Sequence, residues 1–492
     1  DIQVPNNINS FLWGQYVVPT EGGVWQKSNW QNIRNINYFM THYQSVQAAE
    51  ADVNIYVAEM RFFRALEYFN KIQLLGDVPW LEVDLNVDSE ELYGPKMKRN
   101  QVFQKIIEDL DFAIQWLPEA GSEEANRLNK DIARHVKARF CLNEGTHYKY
   151  HDELEYASEA EKWLQMAATE SDKLITSGRY EIYNTGHPQE DYFNMYRIDD
   201  KSDLKEAVLY VDYKTNILEH NMAAAGREAG CGFSKSFVES FLCSDGLPIS
   251  LSNKYLGDET MRKETANRDP RLKQLILTND FPTNVTDDLK DSTFVVNEDE
   301  FITQHCFTGY RPIKGFNPIY SQALYMKSSF DGIAYRYAET LLINAEAKAE
   351  LNTITNADLD RTVNQLRDRV GMPHLTVNVG FTDPKWPDWG YSLSPILQEI
   401  RRERCIELAG EGFRFNDLKR WKAGKVLNNV LTYVGKRKPD GNLAIVYPNY
   451  TNPDLSYQAG KSRTWEDKMY LYPIPTGELQ RNPQLLPQNP GW

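Results

Sequence analysis

Cysteine is scarce in this chain of 492 residues, and its few cysteines stand far apart. The five are Cys141, Cys231, Cys243, Cys306 and Cys405. No two of them form a CxxC pair, so zinc-finger sites and thioredoxin-like redox sites are excluded. The odd number and the mostly apolar neighbours predict buried free thiols, while the spacing leaves a Cys231–Cys243 disulfide open.

Long apolar runs and the hallmark motifs of several enzyme classes are also missing. No run of 18 apolar residues is present, which excludes a transmembrane helix in this sequence. There is no HExxH, GxSxG or GxxxxGK motif, and Gly226, Gly230 and Gly232 do not match the dinucleotide-binding fingerprint. His147 and His151 have a spacing that could hold a metal, but a pair of surface histidines is the simpler interpretation. We therefore expect no catalytic residue, no metal site and no cofactor.

Positive charge is in the minority, with 55 Lys and Arg against 69 Asp and Glu and a net charge of −14. An acidic chain disfavours nucleic-acid binding, which needs clustered cations to neutralise phosphates, so we expect no nucleic-acid partner. The many carboxylates also mean that a glycosidase pair cannot be recognised by abundance alone. Aromatic residues are plentiful at 12%, which suits either a large core or surfaces that stack on sugars.

The most informative stretch is RRERCIELAGEGFRFNDLKRWKAG at 401–424. It predicts the end of one helix, a turn at 410–412 and a second helix that ends at Gly424. A row of carboxylates with i,i+4 spacing runs through it: Glu399, Glu403, Glu407 and Glu411. Because like charges at this spacing repel each other, cations must offset them, and Arg404 and Arg414 are the local candidates. We expect a charge-paired helical hairpin packed inside a larger body.

Hydrophobic periodicity predicts further helices along the chain. Their expected bounds are from about 31 onward, 53–75, 101–117, about 130–148, 158–178, 333–351, 356–370 and from 394 onward. Gly76 suits the left-handed position after the second of these, and Asn100 is predicted as an N-cap. Ser394-Pro395 reads as an N-cap followed by the first helical residue.

Between 180 and 330 the helical periodicity fades and turn signals accumulate. Short strands are predicted at 207–213 and 293–296. Irregular segments held by a rigid scaffold often carry binding sites, so we expect ligand contacts in this region. The residues after Tyr472 include five of the 23 prolines and are predicted to run extended, anchored by Tyr470, Tyr472 and Trp492.

The stretch ERCIELAGEGFRFNDLKRW resembles the C-terminal signature of the SusD/RagB family of outer-membrane lipoproteins that capture glycans. Six further blocks agree with the family in collinear order. They are RFFRALEYFNKIQLLGDVPW (61–80), DGLPI (245–249), RDPRL (268–272), YRYAETLLINAEA (335–347), VNQLRDRVGMP (363–373) and YLYPIPTGELQRNPQLLPQNPGW (470–492). Together the blocks cover the chain from about residue 57 to its last residue.

The resemblance implies a mostly α fold. It would be a tetratricopeptide-like right-handed superhelix of about four helix pairs, with an inserted irregular, loop-rich region that contains short strands. The expected segments of one interwoven globular unit are an N-terminal helical part (1–180), an irregular ligand-binding region (181–330), C-terminal helix pairs (331–425) and an extended segment packed on the scaffold (426–492).

The resemblance also implies a function and partners. The protein would sit on the surface of a Gram-negative outer membrane, capture an oligosaccharide and hand it to a SusC-like TonB-dependent transporter. The implied lipid anchor lies upstream of Asp1, so we expect the chain to be a trimmed mature form. Peptide cargo, a glycoside hydrolase and a purely structural adaptor remain as alternatives.

Sugar binding requires flat apolar faces and a few fixed polar groups, so aromatic residues on predicted loops are the candidates. They are Trp80, Tyr93, Phe307, Tyr310, Phe316, Tyr320, Trp386 and Trp389. The usual placement of binding residues in the family favours Trp80, Tyr93, Tyr310 and Tyr320. Arg99, Asn100 and Arg311 are candidate polar partners because they are near these aromatics in sequence. The signature residues are assigned to the scaffold instead: Arg61, Arg64, Glu407, Glu411, Arg414, Asp417 and Arg420.

Overall fold

The computed structural model describes residues 2–3, 11–122, 126–223, 231–303, 306–445 and 463–492. Helices take up 46% of the chain and strands 8%, which confirms the predicted mostly α fold. Gly226 and Gly230 lie outside the described residues, as does the part of the predicted C-terminal segment at 446–462.

The described residues form fifteen α-helices. In chain order they are α1 (Gln31–His42), α2 (Glu50–Leu75), α3 (Arg99–Trp116), α4 (Lys130–Tyr150), α5 (Ala160–Ser177), α6 (Asp191–Met195), α7 (Lys235–Ser240), α8 (Met261–Thr265), α9 (Arg271–Leu275), α10 (Tyr337–Glu350), α11 (Asn356–Asp360), α12 (Val363–Arg369), α13 (Pro395–Glu407), α14 (Arg414–Arg420) and α15 (Thr476–Arg481).

The strands are short and pair two at a time. They are β1 (Ile2–Gln3), β2 (Ala207–Val211), β3 (Gly232–Phe233), β4 (Pro282–Val285), β5 (Ser292–Phe294), β6 (Gly332–Arg336), β7 (Val434–Arg437) and β8 (Leu443–Ile445). Antiparallel pairs join β1 with β3, β2 with β6, β4 with β5 and β7 with β8.

Four predicted boundaries need correction. The N-cap of α3 is Lys98, and the side chain of Asn100 instead donates from within the helix to Glu159. The helix predicted to begin at 333 begins at Tyr337 because the preceding residues form β6. The segment 356–370 is two helices, broken where Thr362 leaves helical geometry with φ −130° and ψ −98°. The second helix of the signature hairpin ends at Arg420, before Gly424.

The chain forms two compact units. We call Ser10–Leu174, Lys419–Gly424 and Trp465–Trp492 the N-terminal unit. We call Asp1–Asn9, Ile175–Leu418 and Lys425–Thr464 the central unit.

Successive helices of the N-terminal unit run antiparallel. In α2 and α3, residues near the start of one helix meet residues near the end of the other: Arg61 lies 2.7 Å from Asp109, and the rings of Phe69 and Phe103 are 6.3 Å apart. The same reversal relates α3 to α4 and α4 to α5, through the pairs Arg99–Glu144, Lys137–Asp111, Arg134–Glu170 and Gly145–Leu164. Gly145 has no side chain to hold the helices apart, since a Cβ there would lie 2.9 Å from Leu164.

The C-terminal residues are anchored in the N-terminal unit by aromatic packing. The ring of Tyr472 stacks on Phe11 at 4.4 Å, and Trp492 lies 6.0 Å from Phe11. The indole nitrogen of Trp492 also donates to the backbone oxygen of Leu471 at 2.9 Å. The predicted extended segment is interrupted by α15, because Pro475 stands at the N-cap, where a proline does not interfere with helical hydrogen bonds.

The central unit combines helices with the short strand pairs. Its α10 and α13 are antiparallel, since Glu350 pairs with Arg401 and Glu346 with Arg404. A separate apolar core collects side chains from α6 to α9, from the irregular region and from the end of α13. In the part of the chain that the structure describes, no helix is both long enough and apolar enough to span a bilayer.

Two adjacent phenylalanines of α2 provide a matched test of this packing. Phe62 is 1% exposed and Phe63 is 42% exposed. We expect Phe62→Ala to lower the free energy of unfolding by about 3–5 kcal/mol, because it leaves a cavity. We expect Phe63→Ala to cost well under half of that. Urea unfolding followed by circular dichroism measures both, and equal losses would contradict the assigned orientation of α2.

Candidate functional site

The carboxylate of Glu407, at the end of α13, is fully buried and contacts three arginines of the central unit. Its oxygens lie 2.6 Å from Arg369, 2.7 Å from Arg336 and 3.0 Å from Arg271. These arginines come from α12, β6 and α9. Glu407 therefore ties three separate segments of the chain to α13.

Neighbouring carboxylates extend this network. Glu403, one turn earlier, accepts from Arg271 and from Arg367. Glu411, one turn later, accepts from Arg336 at 2.7 Å and from Lys314 at 2.6 Å. Each repulsion between like charges along the row is therefore opposed by at least one cation.

The predicted local partners of this carboxylate row are wrong. Arg404 instead donates to Asp417 at 2.9 Å and lies 3.8 Å from Glu346, and the guanidinium of Arg414 lies 5.9 Å from the ring of Trp389. The cations that contact Glu407 are distant in sequence, so helical spacing could not identify them.

The network changes the acidity of Glu407. Burial alone would raise the pKa of this carboxyl, but the three guanidiniums outweigh burial and hold the pKa far below its ordinary value. Its contribution to stability is therefore present above the unfolded-state pKa of about 4.3. That contribution is lost progressively as the pH falls from this value toward the much lower folded-state pKa.

The remaining signature residues also make contacts inside their own units. Arg61 and Arg64 both bind Asp109, each at 2.7 Å. Arg420 is buried and donates to the hydroxyl of Thr146 at 2.9 Å. These contacts are those expected of scaffold residues.

Three of the aromatic candidates lie in the core and expose no face to a ligand. Tyr310 is fully buried, and its hydroxyl lies 2.8 Å from the carboxylate of Glu264. Burial and this carboxylate raise the pKa of Tyr310. Phe307 and Phe316 are 4% and 2% exposed. The loop-like sequence around them predicts exposure, but the irregular region has its own apolar core, which includes the rings of Tyr310 and Phe316.

The three polar candidates make other contacts. Arg99 is buried and paired with Glu144, and Asn100 donates to Glu159. The guanidinium of Arg311 lies over the ring of Phe316, 5.6 Å from its centre. The expectation that they lie beside exposed aromatics is therefore corrected, since proximity in sequence did not place them on a surface site.

Trp80, Tyr93 and Tyr320 differ in exposure. The half-buried ring of Trp80 packs 4.0 Å from Tyr68 and has Arg64 and Lys105 beside it. Tyr93, in the N-terminal unit, is 51% exposed, and Tyr320, in the central unit, is 48% exposed. Both tyrosines expose part of the ring to solvent, but they belong to two different units of the chain.

The two remaining candidates, Trp386 and Trp389, line one cleft of about 490 Å³ in the central unit. This volume is within the range of small-molecule sites. One wall is the loop 383–389 and another is α13, while residues from α7 and from 425–431 complete the lining. We call this space the Trp386 cleft.

Hydrogen bonds hold the loop of the Trp386 cleft to α13. The indole nitrogen of Trp386 donates to Glu399 at 2.8 Å, and that of Trp389 donates to Gln398 at 2.6 Å. Arg402 adds a third connection, since it donates to Asp383 at 2.6 Å. Burial raises the pKa of Glu399, while the nearby Arg402 opposes this increase. The wall of the cleft is thus fixed before any ligand arrives.

The two tryptophans are not equivalent. Trp389 is 4% exposed, and the guanidiniums of Arg401 and Arg414 lie 5.0 and 5.9 Å from its ring centre. Trp386 is half-buried. Trp386 is therefore the ring that can stack on a ligand, and Trp389 shapes the wall.

Sequence reasoning missed the side chains of α13 that line the cleft: Gln398, Arg401, Arg402 and Cys405. Their spacing places them on one helical stripe, at about 100° per residue. The buried carboxylates Glu403 and Glu407 lie on the opposite side of the same helix. The signal available in the sequence is a polar stripe on the side of α13 opposite the buried carboxylates.

The structure also shows the state of the cysteines and the burial of two histidines. All five cysteines are free, so there is no Cys231–Cys243 disulfide, and Cys231 and Cys405 are only half-buried. His147 and His151 are buried at 8% and 2% exposure, which contradicts the predicted surface pair. Residues that the structure describes contain no cluster of His, Cys, Asp and Glu suited to a metal.

The Glu407 network can be tested by truncation. We expect Glu407→Ala to lower the free energy of unfolding by about 3–5 kcal/mol, because it leaves buried arginines without their carboxylate. The control is Glu181→Ala, which removes a carboxylate paired with Lys205 where both side chains are about 70% exposed and should cost under about 1 kcal/mol. An unchanged melting temperature for Glu407→Ala would contradict the structural role.

Comparisons with known proteins agree on one family. The family described as "SusD family" matches residues 175–492. SusD-like protein P2 of Formosa agariphila is 24% identical over 456 residues, which cover 90% of this chain and 75% of the relative.

Solved structures resemble the fold over nearly the whole chain. A SusD-like protein from Bacteroides fragilis has a TM-score of 0.73 at 24% identity and covers 98% of this chain and 89% of its own. A SusD-like carbohydrate-binding protein from the same species has a TM-score of 0.70 at 21% identity, with 98% and 90% covered. These neighbours have a tetratricopeptide-like helical fold, which confirms the predicted fold class. The family match spans well over half of the sequence, and the chain belongs to the SusD family.

Proposed function

We propose that this protein captures an oligosaccharide at the outer surface of a Gram-negative bacterium and delivers it to a SusC-like TonB-dependent transporter. A lipid anchor upstream of this sequence would hold it on the membrane. Membership of the SusD family supports this role, and one similar structure is that of a carbohydrate-binding protein. The tetratricopeptide-like helices are the proposed docking surface for the transporter.

The observation that carries the proposal is the Trp386 cleft. A sugar ring needs a flat apolar face, and the half-buried ring of Trp386 supplies one. It also needs fixed polar groups for its hydroxyls, and the cleft is lined by Gln398, Arg402 and Asp388. Because the loop is already bonded to α13, little ordering entropy would be lost on binding.

The proposed mechanism is binding without a chemical step. The sugar would stack on Trp386, exchange water for hydrogen bonds with the cleft walls and leave again when the transporter accepts it. The site would then draw on both the irregular region, through α7, and the C-terminal helices, through α13. Affinity would come from one aromatic contact and several hydrogen bonds, which suits a cargo that has to be released.

Binding is best tested with the purified full chain on a glycan array, beside a peptide library and an assay for released products. We expect glycan binding without turnover. Trp386→Ala should weaken it by at least about tenfold, because the stacking face is lost. The matched controls are Tyr93→Ala and Tyr320→Ala, which remove exposed aromatics outside the cleft and should leave affinity within about twofold of the original.

Cys405 offers a second measurement that locates the ligand. It lines the cleft and is half-buried, as is Cys231, whereas the other three cysteines are buried. In a Cys231→Ser background, bound glycan should slow alkylation of Cys405 by iodoacetamide. If the protein binds peptides from the library and no glycan, its proposed cargo is a peptide. If glycan binding depends on Tyr93 or Tyr320 and leaves Cys405 unprotected, the glycan binds outside the Trp386 cleft.

A further inference from the structure

We infer that the Trp386 cleft selects an oligosaccharide bearing carboxylate or sulfate groups over a neutral one. The inference rests on the proposed glycan-binding role of this cleft and adds the chemical class of its ligand. It follows from the charges and hydrogen-bonding groups that line the cleft.

The charge of the lining is opposite in sign to that of the whole chain. The chain carries 14 more negative than positive charges. The cations that line the cleft are Lys385, Arg401, Arg402, Arg414 and Lys425, and the anions are Glu239, Asp383 and Asp388. Behind the lining, Arg401 is paired with the buried Glu350 and Arg402 with the buried Glu399. The solvent-exposed cations of the lining are Lys385 and Lys425. An excess of cations in a concave site attracts anions, and low-dielectric walls strengthen the attraction.

Two of the three lining carboxylates, Asp383 and Glu239, are already engaged as acceptors from side chains, whereas the exposed Asp388 accepts from the backbone nitrogen of Gly390. Asp383 accepts from Arg402 at 2.6 Å, from Ser250 at 2.8 Å and from the backbone nitrogen of Lys385 at 2.9 Å. Glu239 accepts from the side chain of Lys385 at 3.1 Å and lies 3.7 Å from Lys235. Because these oxygens are used within the protein, they have little capacity left to accept from the hydroxyls of a neutral sugar.

The cleft lining has more hydrogen-bond donors available to a ligand than acceptors. A lysine ammonium has three N–H donors, and Lys385 is 51% exposed with one described carboxylate partner. Lys425 is exposed at the cleft, and no carboxylate among the described residues lies within 4 Å of its ammonium. A ligand that supplies charged acceptors matches this surface better than one that supplies only hydroxyls.

The two lysines also come from different lining segments. Lys385 belongs to the loop that carries Trp386, and Lys425 belongs to the segment that follows α14. A sugar stacked on Trp386 would lie within a cleft to which both segments contribute. Its acidic substituents could therefore contact a cation without loss of the aromatic contact.

Isothermal titration calorimetry on the full chain tests this directly. The carboxylate probe is trigalacturonic acid against its methyl ester, and the sulfate probe is a κ-carrageenan tetrasaccharide against its desulfated form. We expect at least one acidic probe to bind about tenfold or more tightly than its neutral counterpart. Raising NaCl from 50 to 500 mM should weaken the acidic probe by about tenfold, because salt screens exposed charges.

A charge-reversal pair locates the effect in the cleft. Lys425→Glu should weaken the acidic probe by about threefold to tenfold. The control is Lys290→Glu, which reverses an exposed lysine outside the cleft lining and should leave affinity unchanged. Equal effects of the two variants would overturn the inference, because recognition would then arise from overall charge.

The remaining outcomes separate this inference from the proposed function. If the array and the titrations find only neutral glycans, with no effect of salt, the inference is overturned and the glycan-binding role stands. If no glycan of either kind binds, the proposed function fails, and the inference fails with it. Preference for one acidic probe over the other identifies carboxylate or sulfate as the recognised group.

Discussion

The contact of Glu407 with Arg271, Arg336 and Arg369 is the interaction on which the central unit depends. A single buried carboxylate joins α13 to residues from α9, β6 and α12, at distances of 2.6 to 3.0 Å. Charges buried in this way are stable only when every partner is in place, since any one left alone would carry a large desolvation cost. The network therefore fixes the position and rotation of α13 far more tightly than apolar packing alone would.

Fixing α13 also fixes the Trp386 cleft. The face of the helix that carries Glu403 and Glu407 contacts the arginines, and the opposite face, with Gln398 and Arg402, lines the cleft. Gln398 and Glu399 in turn hold the indoles of the loop 383–389. One helix thus connects a buried charge network to a surface site, and the site depends on a helix that cannot rotate without breaking ion pairs.

Much of the fold could be predicted from sequence, because apolar periodicity and helix-capping residues act locally. The helices α2 and α4 and the start of α13 at Pro395 were expected close to their observed bounds. The partners of Glu407 could not be predicted, since they lie 38 to 136 residues away in sequence. The burial of Tyr310 could not be predicted for a related reason: its segment has no apolar periodicity, and long-range packing places the ring against Glu264. Of the proposed site, only the two tryptophans could be predicted from the sequence, because its cations are brought together by the tertiary fold.

The most direct test of the account is a crystal structure of the full chain with an acidic oligosaccharide that binds in solution. The account predicts a sugar ring over Trp386, between the loop 383–389 and α13, with an acidic group directed toward Lys425 or Lys385. It also predicts that the contacts of Glu407 with its three arginines are the same as without the sugar. A sugar bound at Tyr93 or Tyr320, with the Trp386 cleft empty, would contradict it.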